Sequence, residues 1–171
     1  MWDKVIAGQG TVGLELCEDL PQADAVFVSI GGGGLISGVG AALKALRPAT
    51  RVIGVQSEHY AAMAKATGHW QGPVNGGPTI AEGMAAKAVS ALTTRHVRAL
   101  CDDVAIVGEV AIERALLQMV RDARLVVEGA GAAPLAALLD RAADYRGSTV
   151  ALVLCGGNID PARLGHILAA E

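Results

Sequence analysis

Short apolar runs alternate with longer amphipathic segments along the 171 residues of the chain. Apolar runs between turn residues predict buried strands, and apolar positions that recur on one helical face predict helices. The predicted strands span residues 25–30, 51–56, 104–107 and 149–154. The predicted helices span residues 11–20, 35–46, 58–67, 109–124, 129–143 and 161–169. This alternation predicts an α/β fold: a mostly parallel, twisted sheet with helices on both faces.

Local residues mark several of these boundaries. Pro48 ends the helix over 35–46, because the residue before a proline avoids the helical region. Ser57 is the predicted N-cap of the helix over 58–67, and Asp160 caps the last helix with Pro161 at its first position. The strand over 149–154 is apolar throughout, so we expect both of its faces to be covered.

Composition narrows the class of protein. Hydrophobic residues make up 52% of the chain and charged residues 18%, as expected for one folded domain over residues 1–171. The net charge of -3 gives no reason to expect nucleic-acid binding. Three cysteines without a Cys-x-x-Cys pattern favour a reducing cytoplasm. Residues 25–43 are uncharged, but their six glycines argue against a membrane span.

Four consecutive glycines, residues 31–34, follow the first predicted strand and precede a predicted helix. Glycine has no Cβ, so its backbone N–H groups can approach an anion closely. The helix adds its unpaired donors and the positive end of its dipole. The segment therefore predicts a phosphate cradle, with a flexible turn that binds nothing as the alternative.

A second glycine pattern, Gly8, Gly10 and Gly13, matches the dinucleotide fingerprint Gly-x-Gly-x-x-Gly. The strand that would precede it covers only residues 4–7, and the acidic residue expected after the second strand is absent. We therefore expect a tight turn that opens a helix. An NAD-binding protein remains the alternative at this point.

Four motifs occur in a familiar order: VIAGQGTVGLE from residue 5, SIGGGGL from residue 29, TIAEG from residue 79 and VLCGGNID from residue 153. Their order and spacing resemble the threonine dehydratase and serine racemase family along nearly the whole chain. These proteins are pyridoxal-phosphate enzymes of the tryptophan-synthase-β fold type, also called fold type II. The resemblance implies a lyase of amino-acid metabolism that deaminates threonine or serine to a 2-oxo acid and ammonia.

The resemblance also implies which residues bind pyridoxal 5'-phosphate. They are Gly31, Gly32, Gly33, Gly34, Leu35, Gly83, Glu128 and Cys155. In the family the position of Cys155 faces the pyridine nitrogen, and the position of Glu128 lies near the ring. Without the resemblance, Cys155 is a packed core cysteine and Glu128 an acid that stabilises a helix N-terminus. At Glu82-Gly83 we expect the backbone of Gly83 to make the contact, with Glu82 a solvated or capping acid.

Two family motifs are missing. The Schiff-base lysine stands in a Ser-x-Lys-x-Arg setting, and a small domain carries a Ser-x-Gly-Asn-His loop. The lysines present are Lys4, Lys44, Lys65 and Lys87, and none has that setting. The chain thus resembles the C-terminal half of such an enzyme: a portion of the large domain without its N-terminal part or the small domain. We expect no catalytic residue in it.

An incomplete large domain has consequences for partners. We expect a homo-oligomer or association with the missing N-terminal half, because a sheet edge or apolar face is left open. A phosphate-binding module without catalysis, or serine racemase activity in the complete protein, are the alternatives. We expect a small amino-acid substrate and a cytoplasmic location, with neither nucleic acid nor membrane as a partner.

Some family members bind a divalent ion just after the strand over 51–56. Here Gln56 replaces the glutamate ligand, and alanines stand near the aspartate position. An oxygen-ligand site needs several carboxylates or carbonyls. The four histidines also lack metal-ligand spacing, so we expect no metal. We expect no regulatory domain after residue 171 and therefore no amino-acid feedback through one.

Overall fold

The computed structural model describes residues 2–169, and in it four parallel strands form one sheet. The strands are β1 (Ala25–Ser29), β2 (Arg51–Ser57), β3 (Asp103–Val107) and β4 (Val150–Val153), in the order β3-β2-β1-β4. Val26 on β1 lies opposite Val52 on β2 and Ala151 on β4. The predicted α/β fold with a parallel sheet is confirmed.

Helices cover both faces of the sheet. They are α1 (Trp2–Asp19), α2 (Gly34–Leu46), α3 (Ala62–Thr67), α4 (Ala91–Leu100), α5 (Glu109–Gln118), α6 (Gly129–Asp140) and α7 (Pro161–Ala169). The first four contribute to one apolar core, and the last three pack on the other. No helix in the described part is long and apolar enough to cross a membrane.

Strand β1 shows why two cores form. Val26 and Val28 point into the core shared with the first four helices, whereas Ala25 and Phe27 point into the other core. This alternation follows from the two-residue period of a strand. All five residues of β1 are buried, as expected for a central parallel strand that is covered on both faces.

The strand order fixes where a ligand can bind. From β1 the chain proceeds to β2 and β3 on one side, and β4 then pairs with β1 on the other. Such a reversal leaves a crevice beyond the carboxyl ends of β1 and β4. The tetraglycine loop follows β1, and Cys155 with Gly156 follows β4, so both lie at this crevice.

Several predicted boundaries differ from the structure. The helix over 58–67 is split: Ser57 caps a short 3-10 turn, Glu58–Tyr60, and α3 begins only at Ala62. Helix α4 was not predicted, although Ser90 caps it by accepting from the Thr93 N–H at 3.1 Å. The helix over 109–124 continues past α5 as a π-helical turn, Met119–Ala123. Asp160 caps α7 as predicted, accepting from the Arg163 N–H at 2.9 Å.

The prediction that both faces of the last strand are covered holds in part: Val150 and Leu152 pack against one core and Ala151 and Val153 against the other, although only Ala151 is buried. Within the described sheet, β4 pairs only with β1, and Val150, Leu152 and Val153 are half-buried. A groove of about 370 Å³ runs between this strand and α1, lined by Val12, Leu16 and the segment 152–155. β4 is therefore an exposed edge with apolar side chains along it.

Candidate functional site

The tetraglycine loop presents unpaired backbone donors to the crevice. The Ile30 N–H donates to the Val55 carbonyl at 2.8 Å, so the loop leaves the sheet at a fixed point. The first helical bond of α2 runs from the Ser37 N–H to the Gly33 carbonyl. Within the described residues, the N–H groups of 31–35 have no hydrogen-bond acceptor in the protein. A helix N-terminus with such unpaired donors has the geometry that anion-binding sites use.

Two of these glycines are required by their surroundings. Gly33 has φ 91°, and a Cβ there would lie 2.7 Å from Met63 Cε. A Cβ on Gly31 would lie 2.7 Å from the Gly83 carbonyl oxygen. At Gly32 an added Cβ would meet nothing within 4 Å, so that position faces open space. The loop is thus held tightly by its neighbours while its donors face the crevice.

The predicted binding residues surround a single cavity of about 260 Å³. All eight of them line it: Gly31, Gly32, Gly33, Gly34, Leu35, Gly83, Glu128 and Cys155. Four further residues complete the lining: Ser29, Met84, Ala130 and Gly156. The structure therefore brings together residues that lie far apart in the sequence.

Gly83 is held at the cavity by a half-buried carboxylate that the sequence did not indicate. Glu109 accepts hydrogen bonds from Ser57 Oγ at 2.7 Å, from Thr79 Oγ1 at 2.8 Å and from the Ile80 N–H at 2.8 Å. These bonds fix the segment that enters the short turn Glu82–Met84. The backbone of Gly83 consequently lies against the tetraglycine loop.

Glu128 lies between two glycines of the cavity wall. A Cβ on Gly83 would lie 2.8 Å from Glu128 Oε1, and one on Gly156 would lie 2.6 Å from the same atom. The carboxylate also accepts from the Asn158 N–H at 3.2 Å. Glu128 is the N-cap residue of α6, but its side chain makes no capping hydrogen bond. Its carboxylate therefore belongs to the cavity rather than to the helix terminus.

The three cysteines occupy different environments. Cys155 is exposed at the cavity, so the alternative of a packed core cysteine is wrong. Cys17 is buried. Burial and the nearby Asp102 carboxylate raise the pKa of the Cys101 thiol to about 12. Only the thiolate is a strong nucleophile, so Cys101 is inert near neutral pH.

Glu82 is an exposed acid in an ion pair, which fits the expectation of a solvated residue. Arg163 on α7 contacts its carboxylate at 3.1 Å and donates to the Thr79 carbonyl at 3.0 Å. A second cavity of about 370 Å³ lies beside this pair and shares Gly83 and Glu128 with the first. Arg163 was missed because it lies just beyond the motif VLCGGNID, within a segment predicted only as a helix.

Both predictions for the second glycine pattern are wrong. Gly8, Gly10 and Gly13 lie inside α1, so they form neither a tight turn nor a dinucleotide loop. They instead permit close packing against α2: a Cβ on Gly13 would lie 2.7 Å from Ala42 Cβ, and one on Gly38 would lie 2.5 Å from the Gly10 nitrogen. The pattern reflects helix–helix contact.

None of the four lysines lines the cavity. Lys4, Lys65 and Lys87 are exposed. Lys44 donates to Asp102 Oδ2 at 2.7 Å and to the Thr50 carbonyl at 2.9 Å, near the opposite ends of the strands. The cavity thus has backbone hydrogen-bond donors that suit a phosphate, and a polar wall, but no lysine amine that could act as a nucleophile.

The segment after β2 does not fit a divalent ion. The buried Gln56 directs its Nε2 donors at the carbonyls of Ile30 and Tyr60, and its Oε1 accepts from the Ala64 N–H. An amide donor at this place repels a cation. The described residues also contain no group of three or more His, Cys, Asp or Glu that could hold a metal.

Comparison with known proteins agrees with this geometry. The family model described as "Pyridoxal-phosphate dependent enzyme" matches residues 3–156. The L-threonine ammonia-lyase of Thermotoga maritima is 44% identical over 165 residues, which cover 96% of this chain and 41% of that protein.

Solved structures share the fold. The processed form of threonine deaminase isoform 2 from Solanum lycopersicum matches with a TM-score of 0.86 and 30% identity, over 96% of this chain and 46% of that one. Maize serine racemase matches with a TM-score of 0.81 and 35% identity, over 97% of this chain and 53% of that one. The chain spans about half the length of these relatives. Because the family model covers residues 3–156 and the site geometry agrees with it, the chain belongs to the family of pyridoxal-phosphate dependent enzymes.

Proposed function

We propose that this chain is the phosphate- and ring-binding half of a pyridoxal-phosphate dependent threonine or serine ammonia-lyase. The observation that carries the proposal is the single cavity that all eight expected binding residues line, beneath the N-terminus of α2. Its relatives include a threonine ammonia-lyase at 44% identity. The complete enzyme would convert a hydroxy amino acid into a 2-oxo acid and ammonia.

The loop fits the phosphate group of the cofactor. Unpaired N–H groups on residues 31–35 and the positive end of the α2 dipole would hold the phosphate without a cationic side chain. The open space at Gly32 leaves room for the phosphate oxygens. This part of the site needs no residue from outside the chain.

The far side of the cavity fits the ring. When bound, pyridoxal phosphate supplies an electron sink for a carbanion at the substrate α-carbon. Cys155 would place a neutral thiol beside the ring nitrogen and leave that sink weaker than one paired with a carboxylate. This suits elimination, because the leaving group takes charge away from the carbon. Gly83 would border the ring through its backbone, with Glu128 next to it.

The proton transfer and substrate binding would come from another polypeptide segment. None of the four lysines lines the cavity, so the described residues 2–169 offer no lysine amine to take the α-proton. The groove between β4 and α1 supports association, since an edge strand with apolar neighbours is a template for strand pairing. A segment carrying the missing lysine would complete the site there, in a second copy or a separate half.

Two other functions would use the same cavity. A binding module without chemistry would use the same phosphate loop, and serine racemase activity would use the same cofactor site in the complete protein. The 35% identity to maize serine racemase favours the second of these. The three free thiols support a reducing, cytoplasmic compartment as the place of action.

A turnover assay tests the proposal. The purified chain with pyridoxal phosphate and threonine or serine is expected to release no 2-oxo acid above the cofactor alone. A second chain that carries the Ser-x-Lys-x-Arg and Ser-x-Gly-Asn-His motifs is expected to restore release. The same second chain with its lysine changed to alanine is the control and is expected to restore none. Turnover by the isolated chain on the order of 1 per second would contradict the proposal.

A further inference from the structure

A fully buried glutamine, Gln56 at the end of β2, makes three hydrogen bonds to main-chain groups. Its Nε2 donates to the Ile30 carbonyl at 3.2 Å and to the Tyr60 carbonyl at 3.0 Å. Its Oε1 accepts from the Ala64 N–H at 2.8 Å. The Ala64 amide can only donate and the carbonyls can only accept, so the orientation of the side-chain amide is determined.

These bonds control the tetraglycine loop from two directions. Ile30 immediately precedes the loop, and its N–H is already fixed by the Val55 carbonyl at 2.8 Å. Gln56 fixes the carbonyl of the same residue, which sets the direction in which the chain enters Gly31. The bond to Ala64 anchors α3, whose Met63 side chain packs behind Gly33. One side chain therefore fixes both the direction in which the chain enters the loop and the helix that packs against the loop.

The two carbonyl oxygens converge on one atom, and that atom must be a donor or a cation. A carboxylate at position 56 would bring a third oxygen about as close to them as the amide nitrogen is now. Three oxygens grouped in this way are ligands that Ca²⁺ or Mg²⁺ accepts. Left without a cation, they repel one another and lose their hydrogen bonds in a buried place.

We propose that Gln56 is a positioning residue that holds the phosphate loop in shape with a neutral amide, so that the loop needs no divalent cation. The consequence for ligand affinity rests on the proposed function, since it assumes that the loop binds phosphate. The consequence for cation dependence rests only on the contacts of Gln56. The two can therefore be tested apart.

The experiment compares wild type with Gln56→Glu, using EDTA, MgCl2 or CaCl2 and two readouts. The first readout is the melting temperature without ligand, and the second is the affinity for pyridoxal phosphate and for inorganic phosphate. Wild type is expected to change less than about twofold in affinity between EDTA and calcium, and not to shift its melting temperature. In EDTA, Gln56→Glu is expected to bind both ligands about tenfold or more weakly than wild type. Calcium or magnesium is expected to restore its affinity.

Two variants control for charge and for loss of structure. Gln118→Glu adds the same charge at an exposed position and is expected to show no response to calcium. Gln56→Met keeps the volume but removes the donors, so it is expected to lose affinity in a way that no cation restores. If Gln56→Glu does not fold with or without calcium, Gln56→Met still tests whether the amide donors of Gln56 hold the loop in shape.

Three results would overturn the proposal: wild type that loses affinity or melting temperature in EDTA, Gln56→Glu that folds and does not respond to divalent ions, or Gln56→Met that binds phosphate as wild type does. Failure of wild type to bind either phosphate probe would overturn the proposed function instead. In that case a cation-dependent melting temperature in Gln56→Glu would still support the amide contact.

Discussion

Gly33 combines a left-handed backbone with a tight contact, and the two can be separated by mutation. Gly68 has nearly the same backbone, φ 90° and ψ 5°, but an added Cβ there meets nothing within 4 Å. At Gly33 the added Cβ would also press on Met63 and Thr93. Gly68 is therefore a matched control that isolates the effect of backbone strain.

We expect Gly68→Ala to lower the free energy of unfolding by about 1 kcal/mol and Gly33→Ala by about 2 kcal/mol or more. Urea denaturation measures both losses. Only Gly33→Ala is expected to weaken phosphate binding, because the contact shifts the loop. Equal losses in the two variants, or unchanged phosphate affinity in Gly33→Ala, would contradict this account of the loop.

Cys155 is expected to be the thiol that reacts first with a small alkylating reagent at pH 8. It is exposed, whereas Cys17 is buried and the pKa of Cys101 is raised to about 12 by burial and Asp102. If Cys155 faces the ring, pyridoxal phosphate should slow its labelling while inorganic phosphate should not. Peptide mass mapping measures the three rates. Equal protection by the two ligands would place the ring elsewhere.

At the scale of elements, the unit from β1 to α2 could be predicted almost residue by residue. Its signals are local: an apolar run, four glycines and an apolar helix that ends before Pro48. Helix α4 was missed because it is short and carries few apolar residues: only Thr93 and Val97 on it are buried, and one of these is polar. A helix that touches the core at few positions leaves only a weak apolar signal in the sequence.

The start of α1 shows a second reason for failure. Glycine is a poor helix former, so Gly8, Gly10 and Gly13 argue against a helix. Their purpose lies in α2, which is distant in the sequence and packs directly against them. The same holds for Glu109, whose partners Thr79 and Ile80 come from another segment. Cavity residues could be predicted where they follow strand ends, but residues that support them across the fold could not.

Two glycines of α1 test the packing interpretation in opposite directions. Gly8→Ala is expected to stabilise the protein by about 0.5–1 kcal/mol, since alanine is the better helix former and its Cβ meets nothing. Gly13→Ala is expected to destabilise it by about 1–3 kcal/mol, because its Cβ would lie 2.7 Å from Ala42 Cβ. Chemical denaturation measures both, and stabilisation by Gly13→Ala would contradict the close contact of α1 with α2.

For the molecule as a whole, the position of the tetraglycine loop and the exposed edge follow from the same topology. β1 and β4 are neighbours, so the crevice beyond their ends receives the glycine loop from one and Cys155 from the other. The outer side of β4 then remains open beside the groove against α1. The cavity and the open edge therefore lie close together, which is the arrangement that the proposed half-site requires.

The measurement that tests this account most directly is the intact mass of the chain after incubation with pyridoxal phosphate, with and without borohydride reduction. Absorbance spectra recorded in parallel report binding. The account predicts that the cofactor binds but that reduction leaves no stoichiometric adduct on the chain. A stoichiometric adduct mapped to one of Lys4, Lys44, Lys65 or Lys87 would contradict it, because that lysine would then make the chain a self-sufficient site.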